Sequence, residues 1–307
     1  RGYYVLEEMS NEWTMRKLLS QSFDSDVRML YETLRQYRSA TNNTNTDYEV
    51  LINLVPRHFG GRDHQYHGNY GHWIAEDLPR LRGLHHYQQA TGRTPDILIR
   101  ENPPSWMTDT LQLLGFSSSD WVEWDRESAT VSRLIVPKLH NYHSTGTGID
   151  PEGRNWVSRE MKKHIDMSRG IDDMPQRVFT SRQGHGSRKI LNFDEVLDIL
   201  NEFNFTSVRP EELSIENQVR LFHQADYVVG PFGANLANVI FCQEATIVEI
   251  FPHDDIRPVF FITANEQGLD YDYIVGEPEN KETTHSSGNI LVDTNKLKSV
   301  LSDVTTK

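Results

Sequence analysis

Apolar positions along the chain form two successive series in which short, continuously apolar runs alternate with amphipathic stretches. Ahead of the first, Ser10 to Tyr37 carries Trp13, Met15, Leu18, Leu19, Phe23, Val27, Leu30 and Leu34 at mostly helical spacing, which predicts a helix. The polar run Ser39–Asp47 reads as a surface loop. A strand over Glu49–Leu54 follows, then a His- and Gly-rich stretch from Arg57 to Gly71, then a helix over His72–Gln89. The next elements predicted are a strand at Asp96–Arg100, a helix at Trp106–Leu114, a strand at Arg133–Pro137 and a helix at Gly153–Asp166.

Ser168–Pro175, rich in Gly, Pro and acid, reads as a linker. Beyond it the pattern predicts strands at Arg177–Ser181, Phe205–Arg209, Asp226–Gly230 and Thr246–Ile250. Helices are predicted between them at Asn192–Phe203, Ser214–Gln224 and Ala234–Phe241, the second opened by Ser214 as its cap. Repeated strand–helix units with short apolar strands argue for an α/β protein with parallel sheets. Two such series imply two Rossmann-like lobes facing a cleft. The expected division is 1–168 for the first lobe with its helical extension, 175–290 for the second, and a terminal helix in 291–307.

Charge narrows the partners. Lys and Arg number 31 against 44 Asp and Glu, giving a formal charge of −13. A nucleic-acid binder carries the opposite balance, so no nucleic acid is expected. Any bound polyanion must meet a few local arginines, and Arg supplies 22 of the 31 cations. The excess of acid and scarcity of Lys fit either an ordinary acidic protein or a salt-adapted surface. The single cysteine, Cys242, sits in an apolar run and allows neither an intramolecular disulfide nor a cysteine-based zinc site. No apolar stretch reaches the length of a membrane span. The chain begins at Arg1 without Met, so a preceding signal or anchor is compatible with it.

Three clusters carry candidate chemistry. In Val228–Asn238 a buried strand enters a Gly-containing turn and opens a helix, a natural seat for a diphosphate or simply a tight turn. In Thr180–Asn192 a strand end delivers Arg182, and a Gly-rich loop brings Arg188, Lys189 and Asn192, a local anion trap or a solvated basic loop. In Asn69–Arg80, His72 and Glu76 are four apart and share a helical face, as a general base with its orienting carboxylate or as a surface pair. A rival reading gathers His58, His64, His67 and His72, with His85 and His86 nearby, into a metal-dependent hydrolase, although no zinc-protease spacing is present. Gly-x-Ser-x-Gly, Walker A and Gly-x-Gly-x-x-Gly motifs are all missing.

In order, these clusters resemble glycosyltransferase family 61. Its Asn-Tyr-x-His-Trp and Leu-Pro-Arg-Leu stretches match Asn69-Tyr70-Gly71-His72-Trp73 and Leu78-Pro79-Arg80-Leu81. Its Ser-Arg block with later Arg, Asn and acid matches Ser181, Arg182, Arg188, Asn192 and Glu195. Its Gly-Pro-His-Gly-Ala-x-Leu-x-Asn turn matches Gly230–Asn238, with Phe232 standing where the family usually has His, and its strand with a central Glu matches Glu249. The role of that His is then either missing here or transferred, to His185 or His223.

The resemblance covers roughly Asn69 to Leu297 and implies a GT-B fold and inverting sugar transfer. The implied partners are a nucleotide-sugar donor, UDP-linked by preference, and a glycan or glycoconjugate hydroxyl as acceptor. No cofactor and no metal are implied. Arg182, Arg188, Asn192, Gly233, Ala234, Asn235 and Asn238 are the expected donor-binding residues, with Glu249 at a strand end for the ribose. His72 and Glu76 are the expected catalytic pair, ahead of Asp77. A catalytically weakened nucleotide- or glycan-binding relative is the alternative kept open by Phe232. The implied location is the cytoplasm or the cytoplasmic face of a membrane, with peripheral association through the acceptor or a preceding segment.

Overall fold

The computed structural model describes residues 3–7, 47–54, 69–124, 131–137, 151–184, 186–277 and 288–306. The helix expected over Ser10–Tyr37, the histidines His58, His64 and His67, and His185 lie outside them. The chain separates into two compact units, one of residues 1–68 and 75–157, the other of residues 69–74 and 158–307. The division therefore falls inside a helix, between Val157 and Ser158, upstream of the expected linker. Asn69–Ile74 also leaves the first half of the chain and joins the second unit.

In the first unit the strands β1 (Tyr3–Glu7), β2 (Tyr48–Asn53), β3 (Asp96–Arg100), β4 (Trp121–Trp124) and β5 (Val131–Pro137) form one sheet in the order β1-β5-β2-β3-β4. β1 runs antiparallel to β5 and the other pairings are parallel. Fully buried Ile52, Ile97 and Ile99 on central strands explain why these runs read as continuously apolar. Helices α1 (Leu81–Thr91), α2 (Ser105–Leu113) and α3 (Pro151–Lys163) accompany the sheet. α1 ends at Gly92, whose φ of 68° is the left-handed conformation that glycine adopts without strain. The buried Arg154 of α3 donates from Nε to the carbonyl of Ala75 at 3.0 Å.

The second unit has an all-parallel sheet of β6 (Arg177–Thr180), β7 (Thr206–Val208), β8 (Tyr227–Pro231), β9 (Thr246–Phe251) and β10 (Asp270–Val275), ordered β10-β9-β8-β6-β7. Between the strands run α4 (Phe193–Glu202), α5 (Ile215–Gln224), a 3-10 segment at Ala234–Phe241 and α6 (Val259–Gln267); α7 (Thr294–Thr305) closes the chain. Ser214 caps α5 by accepting from the Asn217 amide, as its position in the sequence predicts. Asp293 caps α7 by accepting from the amides of Asn295 and Lys296. α4 and α7 close one core with Phe179, Val229, Val248 and Ile250 from the sheet. Two separate sheets, parallel but for β1, make the α/β class expected from the pattern. Among the described residues no helix is long and apolar enough to cross a membrane.

Candidate active site

In an open parallel sheet the strand carboxyl ends carry the loops that bind ligands. In the second unit those ends deliver Ser181 and Arg182 after β6, Arg209 after β7, Phe232 and Gly233 after β8, and His253 to Arg257 after β9. The turn after β8 is crossed by a segment from far upstream. Asn69 caps a single helical turn, Tyr70–His72, by accepting from the Gly71 amide at 2.9 Å. A β-carbon on Gly71 would stand 3.1 Å from the Ala234 α-carbon, so the two backbones are in close contact there. The Tyr70 hydroxyl donates to Asn238 Oδ1 at 2.6 Å, across 168 residues of sequence. Asn238 is wholly buried, and its Nδ2 donates to Gln218 Oε1 and to the Asn235 carbonyl. Its amide is satisfied from both sides, so Asn238 joins the two blocks rather than facing a ligand. Burial raises the Tyr70 pKa, opposed by the hydrogen bond to Asn238, and the hydroxyl acts as a plain donor.

His72, half-buried, belongs to this crossing segment and so to the same unit as the Gly233–Asn238 turn. The expected α-helix over 72–89 is broken: Trp73–Asp77 is a π-helical turn, Leu78–Arg80 a 3-10 turn, and α1 starts at Leu81. Pro79 accounts for the change of register, because it has no amide hydrogen for a continuous ladder. The wider π turn replaces the α-helical geometry that would set His72 and Glu76, four residues apart, on one face. Glu76 is half-buried and lies past the division between the units, while Asp77 is buried and ion-paired with Arg80 at 3.5 Å.

The arginines set the electrostatics of the carboxyl edge. Arg182 is 7 % exposed, and its guanidinium lies over Gly233, where a β-carbon would stand 2.9 Å from Arg182 Cζ. Glycine is needed there for space; its φ of 165° is ordinary extended backbone. Arg182 Nε is buried with no hydrogen-bond partner among the described residues. Burial, and then the like charge of Arg188, bring its pKa down to about 10 against the opposing pull of Glu211. Arg209 behaves differently: it packs over Gly184 and is ion-paired with Glu211 at 3.3 Å and with Glu212. Asn235 donates to Glu211 Oε2 at 3.2 Å and to the Ser181 carbonyl at 3.4 Å, holding the β6 and β8 loops together. A buried guanidinium ion-paired with no carboxylate among the described residues, beside a close-approach glycine, is a seat for an anion.

The family model for Glycosyltransferase 61 matches residues 70–248, more than half of the chain. The chain belongs to glycosyltransferase family 61. It is therefore a glycosyltransferase enzyme. Similar solved structures include the dodecameric iron-containing heptosyltransferase TibC in complex with ADP-D-beta-D-heptose, at 11% identity, 85% coverage of this chain, 77% of that one and a TM-score of 0.41. The E. coli heptosyltransferase WaaC with ADP is similar at 9% identity, 84% and 98% coverage and a TM-score of 0.40. No curated protein matches the sequence.

Several expected site residues of this glycosyltransferase have other duties. Asn192 donates to the Val292 carbonyl at 2.9 Å and to Glu195 Oε2 at 3.2 Å, and accepts from the Val292 amide at 3.0 Å. Both its N–H donors are occupied, so it pins the segment before α7 to the start of α4 and is not free to hold a diphosphate. His223 is no substitute for the family His either. It lies near the end of α5, just before β8 begins, at the amino edge of the sheet and away from the binding edge. Among the described residues, no group of three or more His, Cys, Asp or Glu side chains could hold a metal ion.

Glu249 is the fourth residue of the six-residue β9, not at its end, and it is fully buried. That position removes it from the ribose, since a ligand cannot reach a carboxylate with no exposed surface. Tyr271 donates to its Oε2 at 2.6 Å, while Oε1 has no partner among the described residues. Burial pushes the carboxyl up to about 8, opposed by the Tyr271 hydrogen bond, so the neutral acid prevails at pH 7. Because the folded pKa exceeds the unfolded one, the folded state holds the extra proton between the two values. Stability therefore falls as pH rises from about 4.5 towards 8 and levels off above. Glu249→Gln is expected to match the wild type at pH 5 and exceed it at pH 9, by on the order of 3 kcal/mol. Chemical denaturation at the two pH values checks this, and a variant less stable than wild type at pH 9 contradicts it.

Sequence reading overlooked the segment after β9, Pro252–Pro258. It places His253, 28 % exposed with Nδ1 3.7 Å from Asp254, and the Asp255–Arg257 ion pair at the same carboxyl edge. The signal was available, because the family's central-Glu strand ends there and ligands gather at strand ends.

Proposed function

We propose that the enzyme transfers a sugar from a nucleotide-sugar donor, UDP-linked by preference, to a hydroxyl of a glycan or glycoconjugate acceptor, with inversion and without a metal. The observation that carries this reading is the buried guanidinium of Arg182 over Gly233, its Nε without a hydrogen-bond partner among the described residues. Leaving-group charge on a diphosphate needs fixed positive charge, and Arg182 with Arg188 supplies it in a partly dry site. The start of the 3-10 segment at Ala234 adds the positive end of its peptide dipoles. Asn235 and Asn238 support this turn from behind through the hydrogen bonds described above.

His72 serves as the base. Its backbone neighbour Gly71 packs on Ala234, which keeps the imidazole with the donor-binding turn. In the step, the acceptor oxygen bonds to the anomeric carbon as the bond to the phosphate oxygen breaks. The electron pair of that bond leaves with the diphosphate, and the acceptor proton passes to the imidazole. Glu76 orients the ring or takes the proton itself.

Incubation with a panel of sugar nucleotides and mixed glycan acceptors, with and without EDTA, tests the reading. Nucleoside diphosphate release unchanged by EDTA, with an inverted anomer seen by NMR, is expected. Release abolished by EDTA removes the metal-free mechanism, a retained anomer removes inversion, and absence of both release and nucleotide binding removes the donor assignment.

A further inference from the structure

We propose that Arg257 is a third diphosphate-binding side chain, and that Phe232 is the platform positioning it together with Arg188; this rests on the donor reading above. Phe232 directly follows β8 and is 8 % exposed. Its ring is backed by Phe251 at 5.8 Å and Phe260 at 5.9 Å between centroids, which leaves it little freedom to turn. The Cζ atoms of two guanidinium groups lie near the ring, Arg188 at 5.1 Å and Arg257 at 5.8 Å from the centroid. The negative face of an aromatic ring attracts cations at this range without hydrogen-bonding them. Both groups therefore keep their N–H donors for another acceptor.

Their remaining contacts leave donors to spare. Arg188 Nη1 donates to the Phe232 carbonyl at 3.2 Å, so ring and backbone of one residue fix the same side chain. Arg188 itself has a φ of 59°, a left-handed conformation costly for a side-chain-bearing residue, and its Cγ lies 3.3 Å from where Gly288 would carry a β-carbon. Arg257 donates from Nε to Asp255 Oδ1 at 2.6 Å, which orients the fork and leaves both terminal nitrogens without a partner among the described residues.

Charge points the same way. Arg182, Arg188 and Arg257 face Glu211 and Asp255 as their nearby acids, and Glu211 is shared with Arg209. Burial is the main cause of the lowered pKa of Arg182 and of Arg188; Arg188 adds to the lowering for Arg182, and Arg257 adds to that for Arg188 against the pull of Asp255, so neighbouring cations repel in a chain of net charge −13. Three guanidinium groups held together against their repulsion match a ligand with adjoining phosphoryl groups better than a single carboxylate or monophosphate. Phe232 thus acts through two arginines, and it is a positioning residue.

Calorimetric titration of the full chain with UDP, ADP, UMP and inorganic pyrophosphate tests this, with a thermal melt for each variant. Arg257→Ala is expected to weaken nucleoside diphosphate and pyrophosphate binding about tenfold and UMP binding less. Arg257→Lys keeps the charge but not the planar fork, and should recover only part of the loss. Phe232→Leu should weaken diphosphate binding about threefold to tenfold, and Phe232→Trp, which restores a π face, should recover it. A merely structural role for Phe232 predicts equal weakening of UMP and of diphosphates, and that result overturns the platform. Arg257→Ala binding UDP and pyrophosphate like wild type, while Arg182→Ala does not, overturns the role of Arg257 and leaves the donor site standing. No binding of any of these probes by the wild type overturns both.

Discussion

Arg182→Met is expected to lose 10²–10³-fold in kcat/KM, an order of magnitude typical of removing one preorganised charge from a leaving group, and yet to melt no lower than the wild type. The two effects share one cause. Arg182 is buried, carries an Nε without a partner among the described residues, and has its charge disfavoured enough to pull the pKa down to about 10. An unpaired buried charge destabilises the empty protein, and an apolar side chain of similar length relieves that cost. Methionine keeps an apolar stem beside Gly233, where Arg182 Cδ lies 3.2 Å from the position of a β-carbon, while removing the cation. Circular dichroism melting and steady-state kinetics on one preparation decide the matter. A variant that melts well below the wild type makes Arg182 a structural residue, and one with full activity takes it out of the site.

His72→Ala is expected to reduce kcat by on the order of 10²–10⁴-fold, the range for loss of a general base, with the affinity for the nucleoside diphosphate nearly intact. The separation follows from where His72 sits. Tyr70 and Gly71 anchor the crossing segment to Asn238 and Ala234, so truncating the next side chain leaves those contacts in place. Glu76→Gln separates the two roles left for the carboxylate: a modest loss marks an orienting group, whereas a loss as large as that of His72→Ala marks Glu76 as the base. Wild-type turnover in His72→Ala removes the assignment.

Much of the second unit was legible because its strands are buried on both faces. Runs such as Val228-Val229 and Ile247-Val248 have no polar alternation and are bounded by Gly, Pro or acid, so strand, turn and helix followed in the predicted order. The elements missed had weaker patterns. β4 is Trp-Val-Glu-Trp with no fully buried member, and β10 alternates Asp with Tyr at a sheet edge. α6 is apolar on most sides, so helical periodicity gave no signal.

Site residues divide along a similar line. Arg182 and the Gly233 turn could be found because strand ends and glycines reveal close approach. Asn192 and Asn238 could not be told from ligand-binding amides, since their partners, Val292 and Tyr70, lie 100 and 168 residues away. Glu249 misled for the same reason: a carboxylate in a strand looks available until the surrounding sheet closes over it.

The contact between Tyr70 and Asn238 also bears on the order in which the protein can be made. The second unit draws residues 69–74 from within the span of the first. A ribosome therefore completes that segment long before the strands that will receive it, and it must wait for Asn238 to emerge. Translation cannot finish one half as an independent object before starting the other, and a cut at the linker would strand the segment on the wrong fragment. Recombination between relatives at that linker would likewise separate Tyr70 from the asparagine it was matched to, so the two blocks must be inherited as a pair.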